Sequence, residues 1–173
     1  MDIKIKLIVA SDAAVQLLQD LAYTRLKEKF TTILPEKQLS EYLEFRYNTR
    51  FLTTLLNDFS NKCLLAFVDE KPAGYTIFSA TSQNPPILTS KMATHLINLE
   101  VLEAFKESNA KQALLDRFLD QCQKDQAVWI QEIPEDDVIN FYTRNGFKKS
   151  EEVANMNSLP IPSIYLINEN NLG

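Results

Sequence analysis

Strand-like and helix-like hydrophobic periods alternate from one end of the chain to the other, which restricts the fold to a sheet layered with helices. Ile3, Ile5, Leu7 and Val9 lie on one side of a period-2 run, opposite Lys4 and Lys6. Ser11 or Asp12 then offers a helix cap. Val15, Leu18, Leu21, Ala22 and Leu26 recur at helical spacing, so a helix is expected to about Lys29. Pro35 and Glu36 open a second helical region, since proline is tolerated in a first helical turn. Leu39, Tyr42, Leu43, Arg46 and Tyr47 share one side of it; Phe51, Leu52, Leu55, Leu56 and Phe59 continue the pattern past a break near Asn48 and Thr49.

The rest of the chain is richer in strands. Cys63 to Val68 and Gly74 to Ser79 read as a hairpin over 62–79, with turn chemistry from Asp69 to Pro72. After a loop at Ser82 to Pro86, Ile87 and Leu88 are expected to begin a short extended piece. Leu96 to Leu102 is the next strand. A helix is expected over 106–125, where Ala110, Leu114, Phe118 and Cys122 recur at i, i+4. Ala127 to Gln131 reads as a strand and Asp136 to Arg144 as a short helix that Asn145-Gly146 stops. Phe147 to Val153 and Ser163 to Asn168 read as a closing antiparallel pair. The fold class is therefore α/β, a sandwich built on a mixed sheet.

At 173 residues, 45% hydrophobic and 24% charged, the chain can bury a full core as a single domain over 1–173. Eighteen basic residues face twenty-three acidic ones, for a net charge of −5, and the lysines form no run; no nucleic-acid partner is expected. No stretch approaches the ~18 apolar residues of a membrane span, and the first residues read as a strand; no membrane partner and a cytoplasmic location are expected. Cys63, Cys122 and His95 are too few and too scattered to bind a metal, and both cysteines read as core residues.

Three segments carry a family resemblance. The run VINFYTRNGFKKSEE, Val138 to Glu152, sets Phe141-Tyr142 four residues ahead of Gly146-Phe147. The run KCLLAFVDEKPAGYTIFS has an apolar strand, an acidic turn and Gly74 at the return. The run LEVLEAFKESNAKQALLDRF leads from a strand into a long helix. In this order they resemble the GNAT family of N-acetyltransferases over nearly the whole chain. The resemblance implies a mixed, mostly antiparallel central sheet flanked by helices, with a V-shaped splay between the two central parallel strands.

It also implies acetyl-CoA as co-substrate, a small-molecule or protein amine as acceptor, and no metal. Backbone groups of Leu99 and Val101 would pair with the coenzyme's arm. Lys106, Glu107, Ser108, Asn109, Ala110, Lys111 and Gln112 would form the phosphate-binding loop and helix start. In that loop Lys106 stands at the family's Arg or Gln position, Asn109 at its first glycine and Lys111 at its second small residue. Glu135 stands where many relatives place a coenzyme-contacting asparagine. Tyr142 matches the usual thiolate donor. Glu100 and His95 are the candidate proton acceptors, beside a relay through water. Phe30, Tyr42, Arg46 and Tyr47 would line the acceptor site. The late hairpin, 146–168, would serve as the edge of a homodimer. Two further readings stay open: a non-catalytic domain that binds a ligand or partner, and transfer of another acyl group.

Overall fold

Capping fixes the helix starts. In the computed structural model, which describes residues 1–156 and 159–170, the Ser11 hydroxyl accepts from Ala14 N–H and opens α1 (Asp12–Phe30). The Asn48 side chain accepts from Phe51 N–H at 2.7 Å, which ends α2 (Glu36–Arg46) and starts α3 (Thr49–Asn57) at the expected break. The other elements are β1 (Ile3–Ile8), β2 (Asn61–Val68), β3 (Lys71–Ser79), β4 (Ala93–Val101), α4 (Ala110–Gln121), β5 (Ala127–Glu132), α5 (Asp136–Arg144), β6 (Lys148–Asn155) and β7 (Pro162–Glu169). Among the described residues, seven strands make a mixed, mostly antiparallel sheet, in which β4 and β5 are parallel.

The chain forms two compact units, and β4 contributes to both. The first comprises Met1–Phe78 and Asn98–Gln121. Here β1 pairs antiparallel with β2 from Ile3↔Val68 to Ile8↔Cys63. Asp69 and Glu70 take positive φ values of 48° and 67°, the left-handed backbone that a two-residue hairpin turn requires. Asp69 accepts from Asp2 N–H, and Lys4 pairs with Glu70, so side chains hold a turn that lacks glycine. The core is built from α1 (Val15, Leu18, Ala22, Leu26, Phe30) and α4 (Ala110, Leu114, Leu115, Phe118), with Phe118 edge-on to Phe78 at 5.0 Å.

The second unit comprises Ser79–Ile97 and Cys122–Gly173. The parallel register runs Ala93↔Ala127, Thr94↔Val128 and His95↔Trp129. β5 pairs antiparallel with β7 from Ala127↔Glu169 to Glu132↔Ile164, and β7 pairs with β6. Leu88, Ala127, Trp129 and Ile167 make its core, with Ala93 and Tyr165 packed against them. Gly146, at φ 86°, supplies the left-handed residue just past α5.

Four expectations need correction. The first strand ends at Ile8, and Leu7 and Val9 are exposed, because β1 lies at the sheet's end with β2 as its neighbour. Residues 86–88 form a 3-10 turn instead of an extended piece: Pro86 cannot donate to a ladder and its fixed φ suits a helical turn. The strand expected from Leu96 begins at Ala93, where parallel pairing with Ala127 extends it. The helix expected from Lys106 begins at Ala110, after a 3-10 turn at Glu103–Phe105. The Ser108 hydroxyl donates to Phe105 C=O at 2.6 Å and accepts from Ala110 N–H, so local side-chain bonding takes the place of an extra helical turn.

Candidate active site

In the first unit, the last residues of β4 alternate in surroundings, as a strand must. Leu99 and Val101 are buried apolar residues. Asn98 and Glu100, also buried, meet the N-terminal helices. Tyr47 Oη donates to Asn98 Oδ1 at 3.2 Å. Glu100 Oε2 accepts from Arg25 Nε at 3.1 Å, and Oε1 accepts from Lys29 Nζ at 2.6 Å. Burial alone would raise the Glu100 pKa, but Lys29 and Arg25, with Lys111 of α4, outweigh it and hold the carboxyl below its ordinary range. Arg25 also reaches Glu28, whose Oε2 accepts from Glu103 N–H at 3.0 Å, tying α1 to the segment that follows β4.

That segment is the proposed phosphate loop. Lys106 is exposed and pairs with Glu103 at 2.5 Å. Glu107 and Asn109 are exposed, Ser108 half-buried, and the Asn109 carbonyl accepts from Ala113 N–H. Ala110 is buried; Lys111 and Gln112, half-buried, begin the helix. The positive end of a helix dipole and its first N–H groups lie here. Behind the strand, Gly74 of β3 comes so close that a Cβ would stand 2.4 Å from the Glu100 carbonyl oxygen.

Tyr42 meets Tyr47 edge-on at 6.1 Å between ring centres. Burial, then Tyr42, pushes the Tyr47 pKa well up, so this phenol stays protonated. Arg46 is half-buried over the exposed Phe45 ring, and Phe30 is a core residue, 2% exposed.

The second unit holds the other three candidates. His95 stacks on Trp129 at 3.7 Å with rings 2° from parallel, and its Nδ1 lies 3.1 Å from Ser82 Oγ. Trp129 Nε1 donates to Asn84 Oδ1, and Asn84 Nδ2 donates to the carbonyls of Leu88 and Lys91, so this cluster also pins the loop before β4. Burial lowers the His95 pKa from 6.5 to about 3, leaving the ring neutral at physiological pH. Stability is therefore expected to fall as pH drops from 6.5 towards 3, where the unfolded ring binds a proton that the folded ring refuses. His95→Phe keeps a ring on Trp129 and should flatten that slope relative to wild type in urea titrations; an identical slope would count against it. Tyr142 is fully buried, edge-on to Phe141 at 5.1 Å and Phe147 at 5.3 Å. Glu135 is exposed at the N-cap of α5 and makes no side-chain capping bond.

The first unit thus gathers the β4 end, the loop, Tyr42, Arg46 and Tyr47, while His95, Glu135 and Tyr142 belong to the second. Sequence reasoning missed Arg25 and Lys29. The available signal was a basic i, i+4 pair beside the apolar stripe of α1, in register to cover a buried carboxylate.

The model of the acetyltransferase (GNAT) family matches residues 22–147, and the chain belongs to that family. Among solved structures, it is similar to the PaiA N-acetyltransferase of Thermoplasma acidophilum in complex with coenzyme A: 15% identity, 96% of this chain and 99% of that one, TM-score 0.76. It is also similar to Naa50 of Arabidopsis thaliana in complex with the bisubstrate analogue CoA-Ac-MVNAL: 18% identity, 96% and 99% covered, TM-score 0.64. A third is the ribosomal-protein-S18-alanine N-acetyltransferase of Escherichia coli: 11% identity, 96% and 94% covered, TM-score 0.66. These likenesses speak to the fold. A search of curated protein sequences finds no match. Among the described residues, no helix is long and apolar enough to cross a membrane.

Proposed function

We propose that the chain is an acetyl-CoA-dependent N-acetyltransferase of small-molecule or protein amines, working as one domain in the cytoplasm. The observation that carries this reading is the end of β4: buried strand backbone at Leu99 and Val101 leads, through a short turn, to the start of α4. Backbone groups of Leu99 and Val101 would pair with the coenzyme's arm. The helix start at Lys111 and Gln112, with the Lys111 ammonium, suits its phosphates, while Ala110 N–H is taken by the Ser108 hydroxyl. Lys106, already paired with Glu103, contributes less, and Glu107 opposes it. The co-substrate supplies an activated thioester; Tyr142 would return a proton to the departing thiolate. Tyr42, Arg46 and Tyr47 would meet the acceptor, with Phe30 packed behind them.

Calorimetric titration with acetyl-CoA, and separately with coenzyme A, tests it. Saturable one-to-one binding in the micromolar range is expected. Lys106→Ala with Lys111→Ala should weaken binding by about tenfold, about 1.4 kcal/mol. Unchanged affinity would discard the phosphate contacts. A non-catalytic binding role gains support from the lysine and asparagine that replace the loop glycines, and no binding at millimolar ligand would favour it. Competition among acyl-CoA chain lengths would identify another acyl group.

A further inference from the structure

Tyr75 of β3 is fully buried, and its hydroxyl has no hydrogen-bond partner among the described residues. Burying a hydroxyl without a partner is unfavourable, and phenylalanine would fill the same space without that cost. The residues around it suggest a use for the hydroxyl. The titratable groups that act on it are Tyr47, at the end of α2; Glu100 of β4; Tyr42 of α2; and Cys63 of β2. Glu100 is itself faced by Arg25 and Lys29 of α1 and by Lys111 of α4. Tyr47 Oη donates to Asn98 Oδ1 and also meets the Tyr42 hydroxyl, and an oxygen with two lone pairs has capacity to accept a further bond. The phenols become more exposed in order: Tyr75 at 0%, Tyr47 at 5%, and Tyr42 half-buried. Tyr75 is thus the innermost of the three tyrosines and Tyr42 the most exposed, with Tyr47 bonded to Asn98 of β4.

We propose that Tyr75 Oη and Tyr47 Oη hold an ordered water that takes the proton of the acceptor amine and passes it towards Tyr42; this rests on the acetyltransferase reading. A buried water needs two to four polar partners, and Tyr75 Oη, Tyr47 Oη and the Glu100 carboxylate are candidates for them. The transfer balances. The amine nitrogen bonds to the thioester carbonyl carbon, the carbon–sulfur bond breaks with its electron pair on sulfur, and the thiolate takes up one proton. The nitrogen loses one proton to the water, which releases one of its own along the phenols to solvent. Glu100 is not that acceptor, since each oxygen already accepts from a cation. His95 is stacked on Trp129, and burial keeps its ring from taking up a proton at neutral pH. Tyr75 acts through the water and is thus a positioning residue.

Tyr75→Phe removes only the unpartnered oxygen, so the fold should persist and acetyl-CoA affinity should hold. Its kcat is expected to fall by ~100-fold, the usual scale for lost proton-transfer assistance, with KM for the amine little changed. The kcat profile should also change shape, rising with pH as hydroxide in solvent takes over the proton. Tyr47→Phe should lower kcat as well, and, because Tyr47 also meets the acceptor and bonds Asn98, should raise KM for the amine. A high-resolution crystal structure of the wild-type protein should show a water within hydrogen-bond reach of Tyr75 Oη. Wild-type kcat and pH profile in Tyr75→Phe, or a dry hydroxyl, would overturn the proposal. If wild-type protein binds acetyl-CoA but acetylates no amine, the acetyltransferase reading fails, and the proton route falls with it even where the water is seen. If transfer is robust and Tyr75→Phe is silent, only the route falls.

Discussion

Glu100→Gln is expected to destabilise the protein by about 3–5 kcal/mol, the scale for removing one partner of a buried ion pair. The glutamine fills the same space, so the loss isolates charge. Arg25 and Lys29 would be left facing each other around a neutral amide, with Lys111 adding to the excess. For a chain of this length the midpoint of thermal unfolding should fall by roughly 10 °C. The pH dependence gives a second readout. The folded Glu100 carboxyl ionises below its ordinary 4.5, so its contribution is complete above that value and is lost as pH falls through the lower folded value. Wild-type stability should therefore drop on the acid side, and Glu100→Gln should lack that part of the drop. Adding Lys29→Met should recover part of the loss by removing one stranded cation. Urea unfolding of the variant at neutral pH with an unchanged midpoint would show that the triad contributes nothing.

Gly74→Ala is expected to weaken acetyl-CoA binding more than it weakens the fold. The added Cβ would lie 2.4 Å from the Glu100 carbonyl oxygen, 2.9 Å from Val101 Cγ2 and 3.0 Å from Val101 Cα. Two of these are backbone atoms, which cannot rotate aside as a side chain can, so β4 must shift. Overpacking of this kind costs typically ~1–3 kcal/mol. The displaced stretch carries the backbone groups of Leu99 and Val101 that the proposed function assigns to the coenzyme's arm, so affinity should fall by at least ~10-fold, ~1.4 kcal/mol. The unliganded protein offers an independent check: Leu102 N–H donates to Ala73 C=O at 2.8 Å, and its hydrogen exchange should accelerate in the variant. Unchanged exchange together with unchanged affinity would mean that the strand absorbs the methyl group without moving.

What was legible in the sequence was local. Asn48 announced the break between α2 and α3 because its side chain does the capping. Asn145-Gly146 marked the end of α5 because only a left-handed residue stops a helix there cheaply. The core face of α4 followed from its i, i+4 spacing. Its start did not, because Ser108 chose a bond to Phe105 that helix-forming neighbours do not advertise. The order of strand, turn and helix that frames the proposed site was legible, since β4 leads into α4 through a short segment. Its electrostatics were not: Glu100 meets Arg25 across a sequence separation of 75 residues, and no local period encodes that pairing. For the same reason His95 read as a group suited to proton relay, whereas its stack on Trp129 and its burial keep it neutral.

Trp129 is the chain's one tryptophan, and it belongs wholly to the second unit. Its indole is sandwiched against an imidazole, met edge-on by Tyr165 and tethered to Asn84. Selectively excited emission is therefore a built-in optical gauge of that half of the molecule, blind to the ion-pair triad and to Tyr42, Tyr47 and Tyr75. Paired with far-ultraviolet dichroism, which sums the helices of both halves, it separates a melt in one step from a melt in two without attaching any label.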